Sequence, residues 1–330
     1  MSRPYLTVLT TPIHSAPTRL YRRARSLARL VVRPGAPLPP PSPYPGHFAV
    51  VRSVVEGLRE IHADFNFNPV SFGELARVVY APANEALLQA ASLKRSGAID
   101  FLVAGPVNAL FADECDRILQ QPEIDRLIIP SEWTRSLYRE VPSLAAKARV
   151  CPCGVDTGYW QPKGRLRSKT AVVYWKSGEE RFCDEVEAIV RQRGLEPLRV
   201  RSGHGEHGIF TPADYRDALD RSAIAVFLST FETQGLALAE AWAMDVPTIV
   251  WDPRGDAEWR GRRFASESSA PYLTPATGVA FRETCELKSA LDRALDSPGS
   301  FQPRNWVLEH MTDAVCSRKL YDLIKGEAGA

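Results

Sequence analysis

Apolar positions along this chain fall into two alternating periods. Short runs that are apolar at nearly every position read as buried strands. Segments with apolar residues three and four apart read as amphipathic helices. Residues 5–10 form the first strand. A helix opens at Gly46 and places Val50, Val51, Val54, Val55 and Leu58 on one face. Strands are predicted over 63–67, 78–80, 99–104, 127–129 and 148–151. Helices are predicted over 83–95 and 133–139, the latter behind Ser131 as a candidate N-cap. A stretch rich in glycine, proline and charge, 154–169, interrupts the pattern. A second alternation follows, with strands over 170–175, 198–201, 223–228 and 247–251. Its helices cover 181–193, 212–220, 236–244 and 285–295. The last element, 306–324, spaces Met311, Val315, Leu320 and Ile324 as one helical face. Helices recurring between short apolar strands imply parallel sheets covered on both faces. The fold class read from this pattern is α/β, with two Rossmann-like halves. Ligands of such sheets bind beyond the strand C-terminal ends, so a cleft between the halves is expected.

One segment does not fit. Leu20, Ala24, Leu27 and Val31 make an apolar stripe, and Arg22, Arg25, Arg29 and Arg33 lie on the other side. Seven prolines then fall between Pro34 and Pro45, a run that excludes helix and ladder. One reading is an exposed helix with a stiff connector. The other is a cationic face over 18–33 that makes peripheral contact with an anionic membrane or a phosphorylated acceptor.

Length and composition narrow the classes. A chain of 330 residues suits about two domains. The net charge of +2 rules out a basic nucleic-acid coat, so no nucleic-acid partner is expected. The first 55 residues hold eight arginines and no acid, so the remainder carries −6 against the total of +2. That Arg-rich start also resembles an organellar transit peptide, but residues 5–10 already read as a strand of the fold. No apolar run approaches the ~18 residues of a membrane span. Six dispersed cysteines suggest buried, reduced thiols and a cytoplasmic protein, peripheral at most on the inner face of the membrane.

The chemistry concentrates in the segment 229–247. A buried strand delivers Ser229, Glu232 lies in the following loop, and Gly235 opens a helix. Free N–H groups at that helix start suit a diphosphate. Glu240 lies eight residues beyond Glu232, within a helix flanked by Leu238, Ala239, Ala241 and Trp242. Two carboxylates up to ~12 Å apart can accept hydroxyls from two ends of one polyhydroxylated ligand. Neither half carries G-x-G-x-x-G after its first strand, and no G-x-x-x-x-G-K-[ST] or G-x-S-x-G occurs. Cys151-Pro-Cys153 and His204-x-x-His207 are each half a metal site at best.

These residues resemble retaining glycosyltransferases of the GT-B fold, in the large group known as family 4 or glycosyltransferase group 1. Ser229, Glu232, Gly235, Glu240, Ala241 and Pro247 match that family's serine-ended strand, E-x-F-G, Glu-x7-Glu and G-x-P pattern. Gln234 stands in place of its Phe and Asp245 in place of its Gly. Pro130-Ser-Glu-Trp133 with Arg135 is similar to its P-S-x-W segment. Cys153-Gly154-Val155-Asp156 with Trp160-Gln-Pro162 is similar to its N-G-V-D-x-x-x-F-x-P segment, with Cys153 where the family has Asn. Gly203-His-Gly205-Glu206 is similar to its G-x-G-x-E loop, and Trp251-Asp252 with Gly255 and Glu258 resembles the next loop. The matches run in order from Leu127 to about Arg260.

The resemblance implies two Rossmann-like domains with parallel sheets facing across a cleft. Residues 1–160 would form the acceptor side, with 11–45 an insertion, and 161–304 would bind the donor. Residues 305–330 would pack back on the first domain. It implies transfer of a sugar from a nucleotide-diphospho-sugar, a UDP-sugar favoured, to a glycan or lipid-linked acceptor. Polysaccharide or glycolipid assembly is the family's setting. No cofactor or metal is expected. Lys176 and Arg181 have the spacing of the family's phosphate clamp with the two types exchanged. Glu232 would contact the donor sugar and Glu240 the ribose, and Gly235 and Leu236 would hold phosphate, with Gln234 beside them. Gly46 would approach the same phosphates, and His47 would assist donor or acceptor or simply start a helix. Asn108 and one of His14, His47 and His62 are acceptor-side candidates. A nucleotide-sugar 2-epimerase and a non-catalytic nucleotide- or glycan-binding module of the same fold are the alternatives.

Overall fold

A computed structural model describes residues 3–14, 47–164, 169–201 and 211–329. The basic stripe 18–33, the proline run, Gly46 and the loop Gly203 to Glu206 lie outside the described residues.

The first sheet has six parallel strands: β1 (Leu6–Val8), β2 (Phe65–Phe67), β3 (Val78–Ala81), β4 (Phe101–Ala104), β5 (Arg126–Ile129) and β6 (Ala148–Val150). Their order is β2-β1-β3-β4-β5-β6. The helix Phe48–Glu60 packs Val51, Val55 and Leu58 against Leu6 and Val8, with Leu320 and Ile324 in the same core. The helix Asn84–Arg95 buries Leu87 and Ala90 with Leu102 and Leu127.

The second sheet has five parallel strands: β7 (Thr170–Trp175), β8 (Glu196–Arg201), β9 (Ile224–Leu228), β10 (Thr248–Trp251) and, after a hairpin, β13 (Gly278–Phe281). Its order is β13-β10-β9-β7-β8. The hairpin pairs β11 (Gly255–Trp259) with β12 (Arg262–Ser266). Strand β7 is apolar on both faces because both are covered: Val172 packs with Trp242 and Leu238, and Val173 with Val186, Val190 and Leu287.

Contacts divide the chain into two compact units. The first holds Met1–Ile129, Arg135–Cys151 and Ser317–Ala330, and the second holds Pro130–Thr134 and Pro152–Cys316. These boundaries differ from breaks at 160 and 304. Among the described residues no helix is long and apolar enough to cross a membrane. Two of the six cysteines, Cys115 and Cys285, are exposed, contrary to the expectation of buried thiols.

The final element is not one helix. It breaks into Pro303–His310 and Asp313–Ala328. The cause is a backbone pairing at the break. The Val155 N–H donates to Met311 O at 2.9 Å, and the Asp313 N–H donates to Val155 O at 3.3 Å. Gly154 is what admits this approach. A Cβ there would stand 2.4 Å from Thr312 O and 2.5 Å from Asp313 Cα. Both are backbone atoms and cannot rotate away. Gly154→Ala is therefore expected to destabilise the second unit by about 3 kcal/mol, lowering Tm by roughly 6–10 °C. An unchanged melting curve would contradict this packing.

Candidate functional site

In a doubly wound sheet the ligand crevice lies where strand order reverses, beyond the strand C-terminal ends. In the second unit that reversal falls between β7 and β9. Lys176 follows β7 directly and Glu232 lies in the loop after β9. The Lys176 Nζ stands 2.8 Å from both Glu232 carboxylate oxygens. The Glu232 side chain is 15% exposed and Lys176 41%. The pair is thus half out of water, at the position topology assigns to a ligand.

The loops carrying the pair are tied to each other. The Lys176 N–H donates to Leu228 O at 2.9 Å. The Thr230 N–H donates to Ser177 Oγ at 2.8 Å. Ser229 Oγ donates to Phe231 O at 2.7 Å, and Ser269 Oγ to Ser229 O at 2.7 Å. Glu232 is held through its own backbone. Its N–H donates to Ser268 O at 3.2 Å, and the Trp133 Nε1–H donates to its carbonyl at 2.6 Å. Trp133 lies parallel to Phe264 of the hairpin, ring centroids 6.5 Å apart, and edge-on to Phe231. A carboxylate fixed this way offers its oxygens in a set direction without further ordering cost.

Gly235 precedes the helix Leu236–Ala243 with φ +82°, a left-handed turn. An added Cβ would meet Leu238 Cδ1 at 2.8 Å. The turn presents the first N–H groups of that helix three residues beyond Glu232. Glu240 is half-buried in the same helix. The Tyr215 hydroxyl, which donates to Ala237 O at 2.8 Å, is pushed well above its ordinary pKa by burial, then by Tyr174 and by the Glu240 carboxylate.

Two donor-site candidates stand elsewhere than expected. The Arg181 side chain is 86% exposed, and its partner is Glu185, one turn along its own helix, at 3.5 Å. The structure therefore does not bring Arg181 to the Lys176–Glu232 pair. Gln234 is buried and turned toward its own chain. Its Oε1 accepts the Cys153 N–H at 3.0 Å and the Cys153 thiol at 3.3 Å, and its Nε2 donates to Cys153 O at 2.7 Å. The amide braces the Cys153 backbone. Gln234→Leu would remove three bonds to the buried Cys153, from its N–H, its thiol and its carbonyl. We expect a loss of about 2 kcal/mol, read as a lower denaturant midpoint at unchanged slope. An unchanged midpoint would refute the brace.

The remaining candidates belong to the first unit. His47 is the N-cap residue of Phe48–Glu60 and makes no side-chain cap bond. Asn108 is exposed, and its carbonyl accepts the Cys115 thiol at 3.5 Å. His14 is half-buried after β1. Burial drives the Cys151 thiol pKa up to about 12.

Sequence reasoning did not assign Trp133 or the β11–β12 hairpin a role at Glu232. Trp133 carried a signal, since it stands in the P-S-x-W segment.

No protein-family profile matches the chain, and no curated protein sequence matches it. Solved structures do. HepE of Anabaena, in complex with UDP-glucose, is 11% identical over 97% of this chain and 99% of its own, with a TM-score of 0.58. Sucrose-phosphate synthase of Thermosynechococcus elongatus is 12% identical over 98% and 99%, with a TM-score of 0.54. The catalytic domain of starch synthase IV from Arabidopsis thaliana, bound to ADP and acarbose, is 10% identical over 78% and 74%, with a TM-score of 0.57. At such identities the likeness shows the fold, two Rossmann-like units of the GT-B type.

Proposed function

We propose that this protein is a retaining glycosyltransferase. It moves a sugar from a nucleotide-diphospho-sugar, a UDP-sugar favoured, to a hydroxyl of a glycan or glycolipid. The observation that carries the reading is the Lys176–Glu232 pair at the β7/β9 reversal, three residues ahead of a helix N-terminus. HepE was solved with UDP-glucose and starch synthase IV with ADP, on the same fold.

The chemistry follows from the charges. In the protein alone, Lys176 and Glu232 neutralise each other. A diphosphate brings negative charge that competes for the ammonium and frees the carboxylate. Glu232 then accepts hydroxyls of the donor sugar, and the first N–H groups of Leu236–Ala243 face phosphate oxygens. As the sugar–phosphate bond breaks, charge gathers on the departing diphosphate, and a fixed ammonium stabilises it more than the intact donor. The acceptor oxygen bonds the anomeric carbon on the face the diphosphate leaves. Its proton passes to a phosphate oxygen, so the step needs no side-chain base. Glu240 is the proposed ribose contact. His14, His47 and Asn108 are the proposed acceptor-side groups.

A thermal-shift panel of UDP, GDP, ADP, CDP and their sugars tests the donor class. A stabilised protein with UDP or its sugars is expected, since a ligand of the folded state raises Tm by mass action. Turnover of the stabilising donor, read for anomeric configuration, then tests retention. Inversion would refute the retaining step, and stabilisation without turnover of any donor would favour a binding module.

A further inference from the structure

We propose that Arg201, at the end of β8, is the second cation for the nucleoside diphosphate, the role that sequence spacing gave to Arg181. The inference rests on the donor-binding reading and deepens it.

Three strand ends stand side by side in the order β8-β7-β9. They carry Arg201, Lys176 and the Glu232 loop. Arg201 is in register with Trp175, the residue before Lys176, on a neighbouring strand ~4.8 Å away. Its guanidinium carbon stands 4.7 Å from the Trp175 ring centroid. Trp175 is itself buried, and its Nε1–H donates to Gly178 O at 3.3 Å, so the platform is fixed. A guanidinium lying on an indole keeps its N–H edges in plane and available, the arrangement that suits a phosphate.

The neighbouring cations differ from it. Arg199, the other guanidinium near Trp175, is held by Glu180, Asp184 and Glu187. Arg254 bonds Asp252, and Arg181 faces Glu185. Among the described residues no carboxylate pairs with Arg201. It is exposed, positive and braced, at a strand end one strand removed from the Lys176–Glu232 pair. With the sugar at Glu232, a diphosphate that meets Lys176 through one phosphate can present its other phosphate along the strand ends to Arg201.

The experiment is calorimetric titration of UDP and of uridine into wild type, Arg201→Ala, Arg201→Lys and Arg193→Ala. Arg193 pairs with Asp292 and controls for loss of one surface charge. Arg201→Ala is expected to weaken UDP about tenfold or more and uridine less than twofold. Arg201→Lys should recover part of the loss, and Arg193→Ala should stay within twofold of wild type. Equal losses for UDP and uridine, or UDP affinity unchanged in Arg201→Ala, would overturn the assignment while wild-type binding leaves the donor reading standing. Wild type that binds no UDP, GDP, ADP or CDP would overturn the donor reading and this inference together.

Discussion

Lys176→Ala is expected to lower donor turnover by about 10³-fold and nucleoside diphosphate affinity by at least tenfold. The two numbers differ because the ammonium meets more charge as the diphosphate leaves than it does in the bound donor. Removal of one fixed charge aimed at a developing anion costs roughly 3–4 kcal/mol of transition-state stabilisation. The position of the lysine is set by the fold. It is the first residue past β7, and its backbone is bonded to the last residue of β9. No long loop must close to bring it there. Turnover and UDP titration on the same preparation check the split. Loss of affinity with turnover per bound donor unchanged would mean that Lys176 binds and does not catalyse.

Glu232→Gln is expected to act in the opposite direction on binding. The amide keeps the shape of the side chain and removes its charge. Lys176 then loses its intramolecular partner, and UDP no longer competes with a carboxylate for it. UDP affinity should rise about threefold while sugar transfer falls by 10² to 10³-fold, an order-of-magnitude expectation for a lost contact at the reacting centre. Few structural roles produce that combination, because damage to the loop would weaken both. A parallel fall in UDP affinity and transfer would show that the Lys176–Glu232 contact is a brace and not a pair divided by the donor.

Much of this architecture was legible in the chain because burial on both faces leaves a plain signature. Strand β7 occupies Thr170–Trp175, the run expected from its unbroken apolarity, and the helix Asn84–Arg95 starts one residue from the expected position. Long-range constraints were not legible. The single helix expected over 306–324 breaks because Val155, more than 150 residues away in sequence, takes the backbone groups at 311–313. The β11–β12 hairpin was missed because its turn is atypical. Arg260 and Gly261 both have positive φ, 51° and 80°, as a two-residue hairpin turn requires. Asparagine or aspartate is the usual residue at the first of these positions, so arginine gave no signal.

The candidate site shows the same division. Glu232, Gly235 and Lys176 were singled out by pattern, and the structure brings the Lys176 and Glu232 side chains into contact. Arg181 was chosen by spacing, and spacing does not tell which side of a helix start faces the strand ends. Gln234 and Cys153 each depart from the family pattern, and the structure shows them bonded to each other. The two departures thus satisfy one another's hydrogen bonds. No single-position comparison reveals that exchange.

The most direct measurement is calorimetric titration of UDP into wild-type protein and Lys176→Ala under one low-salt condition. The account predicts saturable binding to wild type and at least a tenfold weaker constant for the variant, with both proteins melting at the same temperature in the absence of ligand. Equal constants, or no binding of any nucleoside diphosphate to wild type, would contradict it.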